Sequence, residues 1–163
     1  MQPDGRIDST SPIRIRKMLE SDVPACMAIL SQWNMAPSAP TGDNPDPERS
    51  GIDVTNGFVA EVEGRIVGTC SYIIHSPELA ETASLAVDPS FKGGGVGYLL
   101  QKARLDEMRD RGIRKVRTET DRPETIRWYV EKFGYSIVGT NPKKHAFSLP
   151  SVDCWTVLEL NLL

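Results

Sequence analysis

The chain has 163 residues, 39% hydrophobic and 25% charged, with a formal net charge of −3. That composition fits a globular protein long enough to bury a core within one domain, and the acidic balance excludes a general nucleic-acid binder, which carries a basic excess. No apolar run reaches the length of a bilayer span, and the N-terminus lacks the basic-then-apolar order of an export signal. Three cysteines, Cys26, Cys70 and Cys154, stand far apart without CxxC spacing, so reduced thiols, a cytoplasmic location and no membrane partner are expected. Only His75 and His145 could add imidazole ligands, and neither has a close cysteine or histidine companion; no metal site is expected. The charge is uneven. Residues 1–87 carry 6 basic and 12 acidic side chains, against 13 basic and 10 acidic in 88–163. A polyanionic ligand in the second half fits that asymmetry, and so do solvated helix faces.

In chain order, residues 1–11 are polar and aperiodic, the pattern of a disordered tail before a domain spanning 12–163. Alternation over Ile13–Met18 predicts a strand with one wet face. Ser21 then stands as the cap of a helix whose buried stripe is Val23, Cys26, Met27, Leu30 and Trp33. From Met35 to Asp53 periodicity vanishes: prolines 37, 40, 45 and 47 punctuate a run holding Asp43, Asp46, Glu48 and Asp53. A loop of that length is either functional or a disordered insertion. Gly57–Val62 and Arg65–Ile74, joined by Glu63-Gly64, read as a β-hairpin. Glu81–Val87 predicts another strand and Val96–Arg111 a helix stopped by Gly112; Lys115–Thr120 completes a parallel strand–helix–strand unit. Asp121 reads as the cap of a further helix with Ile126, Tyr129, Val130 and Phe133 on its apolar face and Gly134 at its end. Two strands, Tyr135–Thr140 and Val152–Leu160, close the chain. The apolar final strand could pair with a second subunit, so a homodimer is among the expectations. The fold class is α/β (α+β), a mixed central sheet flanked by helices.

Between Val87 and the second helix lies Phe91-Lys92-Gly93-Gly94-Gly95-Val96-Gly97-Tyr98. Glycines permit sharp bends and close backbone approach, and a helix N-terminus just beyond offers free N–H groups and a positive dipole end. Together they suit a phosphate. A nucleoside-triphosphate loop requires GxxxxGK[ST], and neither Lys-Ser nor Lys-Thr follows here. A dinucleotide fingerprint started at Gly95 meets Leu100 where its third glycine belongs, and started at Gly93 it meets Tyr98. Glu119 could supply its acidic residue, but Asp88 to Lys92 separate strand from glycines where that turn should follow at once.

Leu85-Ala86-Val87-Asp88-Pro89 followed by Lys92-Gly93-Gly94-Gly95-Val96-Gly97 resembles the acetyl-CoA-binding motif Q/R-x-x-G-x-G/A of the GNAT superfamily of N-acyltransferases, with Lys92 in place of the usual arginine or glutamine. Trp128-Tyr129-Val130-Glu131-Lys132-Phe133-Gly134-Tyr135 resembles its later helix-to-strand segment, and the order of elements from Ile13 to Leu160 is similar to that family's. The resemblance implies a mixed-sheet GNAT fold and an enzyme that passes the acetyl group of acetyl-CoA to a primary amine of a small molecule by direct attack in a ternary complex. A non-catalytic acyl-CoA-binding module and a protein-modifying acetyltransferase are the alternatives.

It further implies that Lys92, Gly93, Gly94, Gly95, Val96, Gly97 and Tyr98 hold the pyrophosphate of acetyl-CoA, and that Leu85, Ala86 and Val87 lie beside its pantetheine arm. Such chemistry needs a base for the attacking ammonium and benefits from an acid for the departing thiolate. Glu81 is the candidate base: it stands six positions before Val87, where some members place a glutamate, and a regular strand gives it the parity of Ala83, Leu85 and Val87. A solvated carboxylate at a strand start is the plain alternative. Glu78 and His75 are further candidates. The position of the family's usual acidic tyrosine is occupied by Val130; its neighbour Tyr129 is the candidate acid, with a core aromatic as the plain reading, and Tyr135 stands behind it. The asparagine often seen early in this helix is replaced by Pro123. Lys143, Lys144 and His145 fit an anionic acceptor, whereas the acidic 43–53 loop fits a cationic one.

Overall fold

A computed structural model of the protein describes residues 11–37, 52–143 and 147–162. Most of the expected tail and of the acidic loop, together with Lys144 and His145, lies outside the described residues. The strands are β1 (Arg14–Lys17), β2 (Gly57–Val62), β3 (Arg65–Ile74), β4 (Leu79–Val87), β5 (Lys115–Thr120), β6 (Ser136–Pro142) and β7 (Cys154–Asn161); the helices are α1 (Val23–Gln32), α2 (Val96–Asp110) and α3 (Pro123–Phe133). They build one mixed sheet in the order β1-β2-β3-β4-β5-β7-β6, parallel only between β4 and β5.

Helices cover both faces because the strands are apolar on both. The larger core joins Val96, Leu100, Leu105 and Met108 of α2 and Tyr129 of α3 to Phe58, Ala60, Tyr72, Ala80, Val116 and Leu158 of the sheet. The smaller core packs Val23, Cys26, Ile29 and Leu30 of α1 against Val59 and Ala86. Helix α2 sits close. A Cβ added to Gly68 would lie 2.8 Å from a Val96 methyl and 2.9 Å from one of Leu100. The β2–β3 turn holds Glu63 and Gly64 at φ +50° and +79°, the pair of left-handed residues a tight hairpin turn requires.

Three sequence expectations fail locally. Ser21 does not cap α1; a 3₁₀ turn at Glu20–Asp22 leads into the helix, and Asp22 accepts the Leu19 N–H at 2.8 Å while pairing with Arg16 at 2.8 Å. Asp121 does not cap α3, whose N-cap is Arg122; the aspartate pairs with the Lys143 ammonium instead. The final strand β7 lies between β5 and β6, so both its edges are taken and it cannot pair with another subunit. The outer strand on that side is β6.

Two features of β4 shape the space beside it. Its register with β3 runs from Ile74↔Ala80 to Ser71↔Ala83, then resumes at Thr69↔Ala86 with one extra residue on β4. Ser84 carries the strain of this bulge at φ +58°, an uncommon conformation for a side-chain-bearing residue. The extra residue exchanges the faces. Ala80 packs in the larger core and Ala86 in the smaller. Glu81 therefore shares a face with Ala83 and Ala86, not with Leu85 and Val87 as unbroken alternation predicts. In addition, β4 and β5 pair only at Leu79↔Lys115, Ala80↔Val116 and Glu81↔Arg117. Beyond Glu81 they part, leaving a wedge.

Candidate active site

A cavity of about 1000 Å³ fills that wedge and continues to the glycine loop. The loop begins at Asp88, whose side chain accepts the Ser90 N–H at 2.9 Å and meets Arg65 at 3.2 Å, fixing the exit from β4. Gly93 and Gly95 take φ +84° and +87°, the left-handed region that favours glycine. Gly97 has ordinary backbone, and an added Cβ would find contacts of 3.7 and 3.9 Å. The conformational demand therefore falls on Gly93 and Gly95. The first bond of α2 runs from the Leu99 N–H to the Gly95 carbonyl at 3.1 Å, so the N–H groups of Val96, Gly97 and Tyr98 have no acceptor within the helix. They line the same cavity and suit a pyrophosphate.

Along the wedge, the Asp88 N–H donates to Val67 of β3 at 2.8 Å. The carbonyl across that peptide, Val87 O, consequently faces away from β3, and strand geometry turns the N–H groups of Val87 and Leu85 the same way. Among the described residues no strand stands beside them there. They offer an amide-bearing chain a ladder to join, and fit a pantetheine arm. The Trp33 indole N–H caps Val87 O at 2.8 Å, locking the end of α1 across the top of the wedge.

A buried cation lies beneath. Arg104 of α2 is fully buried, and no carboxylate pairs with it among the described residues. Its charge is met by neutral oxygens: Gln101 Oε1 at 2.6 Å, the Ser71 and Ala83 carbonyls at 3.0 and 3.2 Å, and the Tyr129 hydroxyl at 3.0 Å. The guanidinium thus ties α2 and α3 to the backbone just before the bulge. Tyr129 is 3% exposed and also lines the cavity. Because its oxygen accepts from Arg104, its own O–H is left to donate. Gln101 in turn donates to the Tyr135 hydroxyl at 2.9 Å. Tyr135 does not line the cavity, and burial pushes its phenol well above the ordinary tyrosine range.

The α1 side of the wedge is acidic and aromatic. Glu81, Glu119 and Asp121 line it with Trp33, Phe147 and Trp155. Glu81 lies 3.2 Å from His75 Nε2, and Glu119 accepts from Asn141 at 2.8 Å. Asp121 accepts from Lys143 Nζ at 2.6 Å and from the Leu149 N–H at 2.8 Å, with both side chains of the ion pair almost wholly buried. Burial works to raise the Asp121 carboxyl, but the Lys143 ammonium and the hydrogen bonds outweigh it and hold the group below the usual carboxylate range. Lys143 also donates to the carbonyls of Phe147 and Leu149, both at 2.9 Å. This lysine closes the β6–β7 connection and is not available to an anionic acceptor, contrary to the expectation for Lys143; Lys144 and His145 lie outside the described residues.

Of the residues expected to hold acetyl-CoA, Leu85, Ala86, Val87, Lys92, Gly93, Gly95, Val96, Gly97 and Tyr98 all line the cavity. Gly94 does not; its N–H turns back to the Phe91 carbonyl at 3.3 Å. Ala86 contributes backbone, its methyl belonging to the smaller core. Glu81 and Tyr129 line the cavity on its two sides, whereas Glu78 and His75 lie outside it. Val130 is 38% exposed and points away. Sequence reasoning misses Arg104, although a signal exists: it occupies the i+4 position between Leu100 and Met108, on the buried stripe of α2.

Known proteins share this fold. The family model described as acetyltransferase (GNAT) family matches residues 25–135. A mycothiol acetyltransferase from Thermomonospora curvata is 35% identical over 88 residues, which is 52% of this chain and 29% of that protein. The matched part thus spans less than a third of this relative's length. Among solved structures, Rv2747 from Mycobacterium tuberculosis, in complex with CoA and NLQ, superposes with a TM-score of 0.68 at 20% identity, covering 92% of this chain and 99% of that one. The ribosomal-protein-S18-alanine N-acetyltransferase from Escherichia coli gives 0.70 at 18% identity, covering 93% and 94%. The fold is that of these solved structures, the family model takes in the bulged strand, the glycine loop and α3, and the chain belongs to the acetyltransferase (GNAT) family.

Proposed function

We propose that the protein transfers the acetyl group of acetyl-CoA to a primary amine of a small-molecule acceptor, by direct attack in a ternary complex. The observation that carries this reading is the wedge between β4 and β5, which opens at Glu81 and ends at the N–H groups of Val96, Gly97 and Tyr98, which have no acceptor within the helix. Lys92 and those N–H groups hold the pyrophosphate, and the Leu85 and Val87 backbone takes the pantetheine arm. The amine enters from the α1 side and its nitrogen bonds to the thioester carbonyl carbon as the carbon–sulfur bond breaks. Glu81 accepts the proton the amine must lose. Tyr129, oriented by Arg104, donates a proton to the leaving thiolate, and the nearby guanidinium favours negative charge developing there.

The three cysteines are unpaired, which fits a reducing cytoplasm. Among the described residues no helix is long and apolar enough to cross a membrane. If the protein self-associates, β6 is the strand we assign to the seam; Ile137 and Val138 on it are 58% and 52% exposed.

The test is release of free CoA from acetyl-CoA across a panel of small amines and of peptides with free N-termini. Amine-dependent release is expected, with small amines preferred. Binding of acetyl-CoA without release for any amine would make the protein a carrier module, and preference for peptides would make it a protein-modifying enzyme.

A further inference from the structure

Strand β5 runs out at Asp121, and the next side chain, Arg122, has an unusual environment. Its Nε is buried and has no hydrogen-bond partner among the described residues, and none of their carboxylates forms an ion pair with its guanidinium. Its Cζ lies 5.1 Å from the centre of the Trp33 ring. That ring is fixed by the indole bond to Val87 O at 2.8 Å, and Lys92 Nζ lies 5.9 Å from the same centre. Trp33, Lys92 and Arg122 all line the cavity.

A guanidinium resting on an indole keeps its hydrogen-bonding edges for a planar anion, which it can grip with two parallel bonds. The same cavity carries Glu81 and Glu119, so its charges are separated: cations beside Trp33, carboxylates towards β4 and β5. An amine that also bears a carboxylate has the complementary polarity. A phosphate dianion matches less well, since Glu81, Glu119 and Asp121 share the space.

We propose that Arg122 binds a carboxylate of the acceptor, which makes the acceptor an amino acid or an amine of that kind. This rests on the acetyltransferase reading, since it assigns the second substrate of the same site. Lys143, held by Asp121, is not the anion-binding group; Arg122 is.

Calorimetric titration of the standard L-amino acids, each beside its decarboxylated amine, into protein saturated with CoA tests the assignment without relying on turnover. At least one amino acid is expected to bind more tightly than its decarboxylated partner. Arg122→Gln should weaken that binding by about 10- to 100-fold, the loss of one charge-assisted pair, with CoA affinity unchanged and partial recovery in Arg122→Lys. Equal binding of acids and amines, or no binding of any amino acid to the CoA-loaded protein, overturns the assignment and leaves the acetyltransferase reading standing. Weaker CoA binding in Arg122→Gln would also overturn it, by giving Arg122 to the cofactor phosphates. Failure of the wild-type protein to bind CoA would instead remove the acetyltransferase reading itself.

Discussion

At Tyr129 one hydroxyl carries two loads. It accepts from a buried arginine at 3.0 Å, and in the proposed reaction it gives its proton to the leaving thiolate. Tyr129→Phe removes both at once. General acid catalysis typically contributes on the order of 10²-fold or more, so kcat should fall by about that much while KM for acetyl-CoA stays put. The variant also strands an Arg104 donor, at a cost of about 1–3 kcal/mol; a denaturation curve separates this from the kinetic effect. Glu81→Gln should lower kcat and flatten the acid limb of the pH–rate profile, and an unchanged profile would remove Glu81 from the mechanism. The Lys143–Asp121 pair acts on stability instead. Asp121→Asn leaves a buried ammonium without its counter-ion and should destabilise by about 3–5 kcal/mol at pH 7. The sign of the pH effect comes from the depressed Asp121 carboxyl: the stabilisation is complete above the unfolded value near 3.9 and is lost as pH falls through the folded one. Asp22, held down by its hydrogen bond to Arg16, acts in the same direction. Acid titration of wild type should thus show a steeper loss of stability than that of Asp121→Asn. The thiols divide as well: burial pushes Cys70 up to about 11 and also raises Cys26, whereas Cys154 is exposed. Iodoacetamide should label Cys154 in the native protein and the other two only after unfolding.

Among the elements, β4 decides the geometry of the site. The bulge at Ser84 turns Leu85 and Val87 towards α2 and leaves Glu81 and Ala83 on the α1 side, so donor and acceptor can approach through the wedge from opposite faces. Helix α2 must sit close to the sheet for its N-terminus to reach the end of this strand, and Gly68 provides the room. Gly68→Val would drive methyls into Val96 and Leu100; overpacking of this kind costs about 1–3 kcal/mol, and it should weaken acetyl-CoA binding by displacing the loop. What is legible in the sequence divides in the same way. The hairpin at Glu63-Gly64, the glycine loop and the glycine-marked C-terminal ends of α2 and α3 depend on residues adjacent in the chain, and local chemistry finds them. The bulge is invisible because alternation assumes one residue per register step, and nothing in Ala83-Ser84-Leu85 marks the extra one. Asp121 misleads because its capping pattern is local whereas its actual partner, Lys143, lies 22 residues away. Arg104 goes unread although its i+4 spacing between Leu100 and Met108 puts it on the buried stripe of α2; what the spacing does not give is the set of neutral oxygens from β3, β4 and α3 that meet its charge.

On the scale of the molecule, a parallel pair inserted in an otherwise antiparallel sheet separates after three register steps, and both routes of the proposed reaction lead into the gap. The α2 side offers backbone N–H groups; the α1 side offers carboxylates and aromatic rings, with Lys92 and Arg122 beside Trp33. Two cores, one under each face, hold the walls apart. The negative first half and positive second half of the chain meet along this wedge, with Glu81 on one strand and Lys92 and Arg122 beyond it. The central claim is that acetyl-CoA occupies this gap with its pyrophosphate on the glycine loop. Calorimetric titration of acetyl-CoA into wild type and Gly95→Trp tests it directly. Binding at one site by the wild type is expected, with loss of that binding in a variant whose far-ultraviolet circular dichroism is unchanged. No binding by the wild type, or equal binding by both, would contradict it.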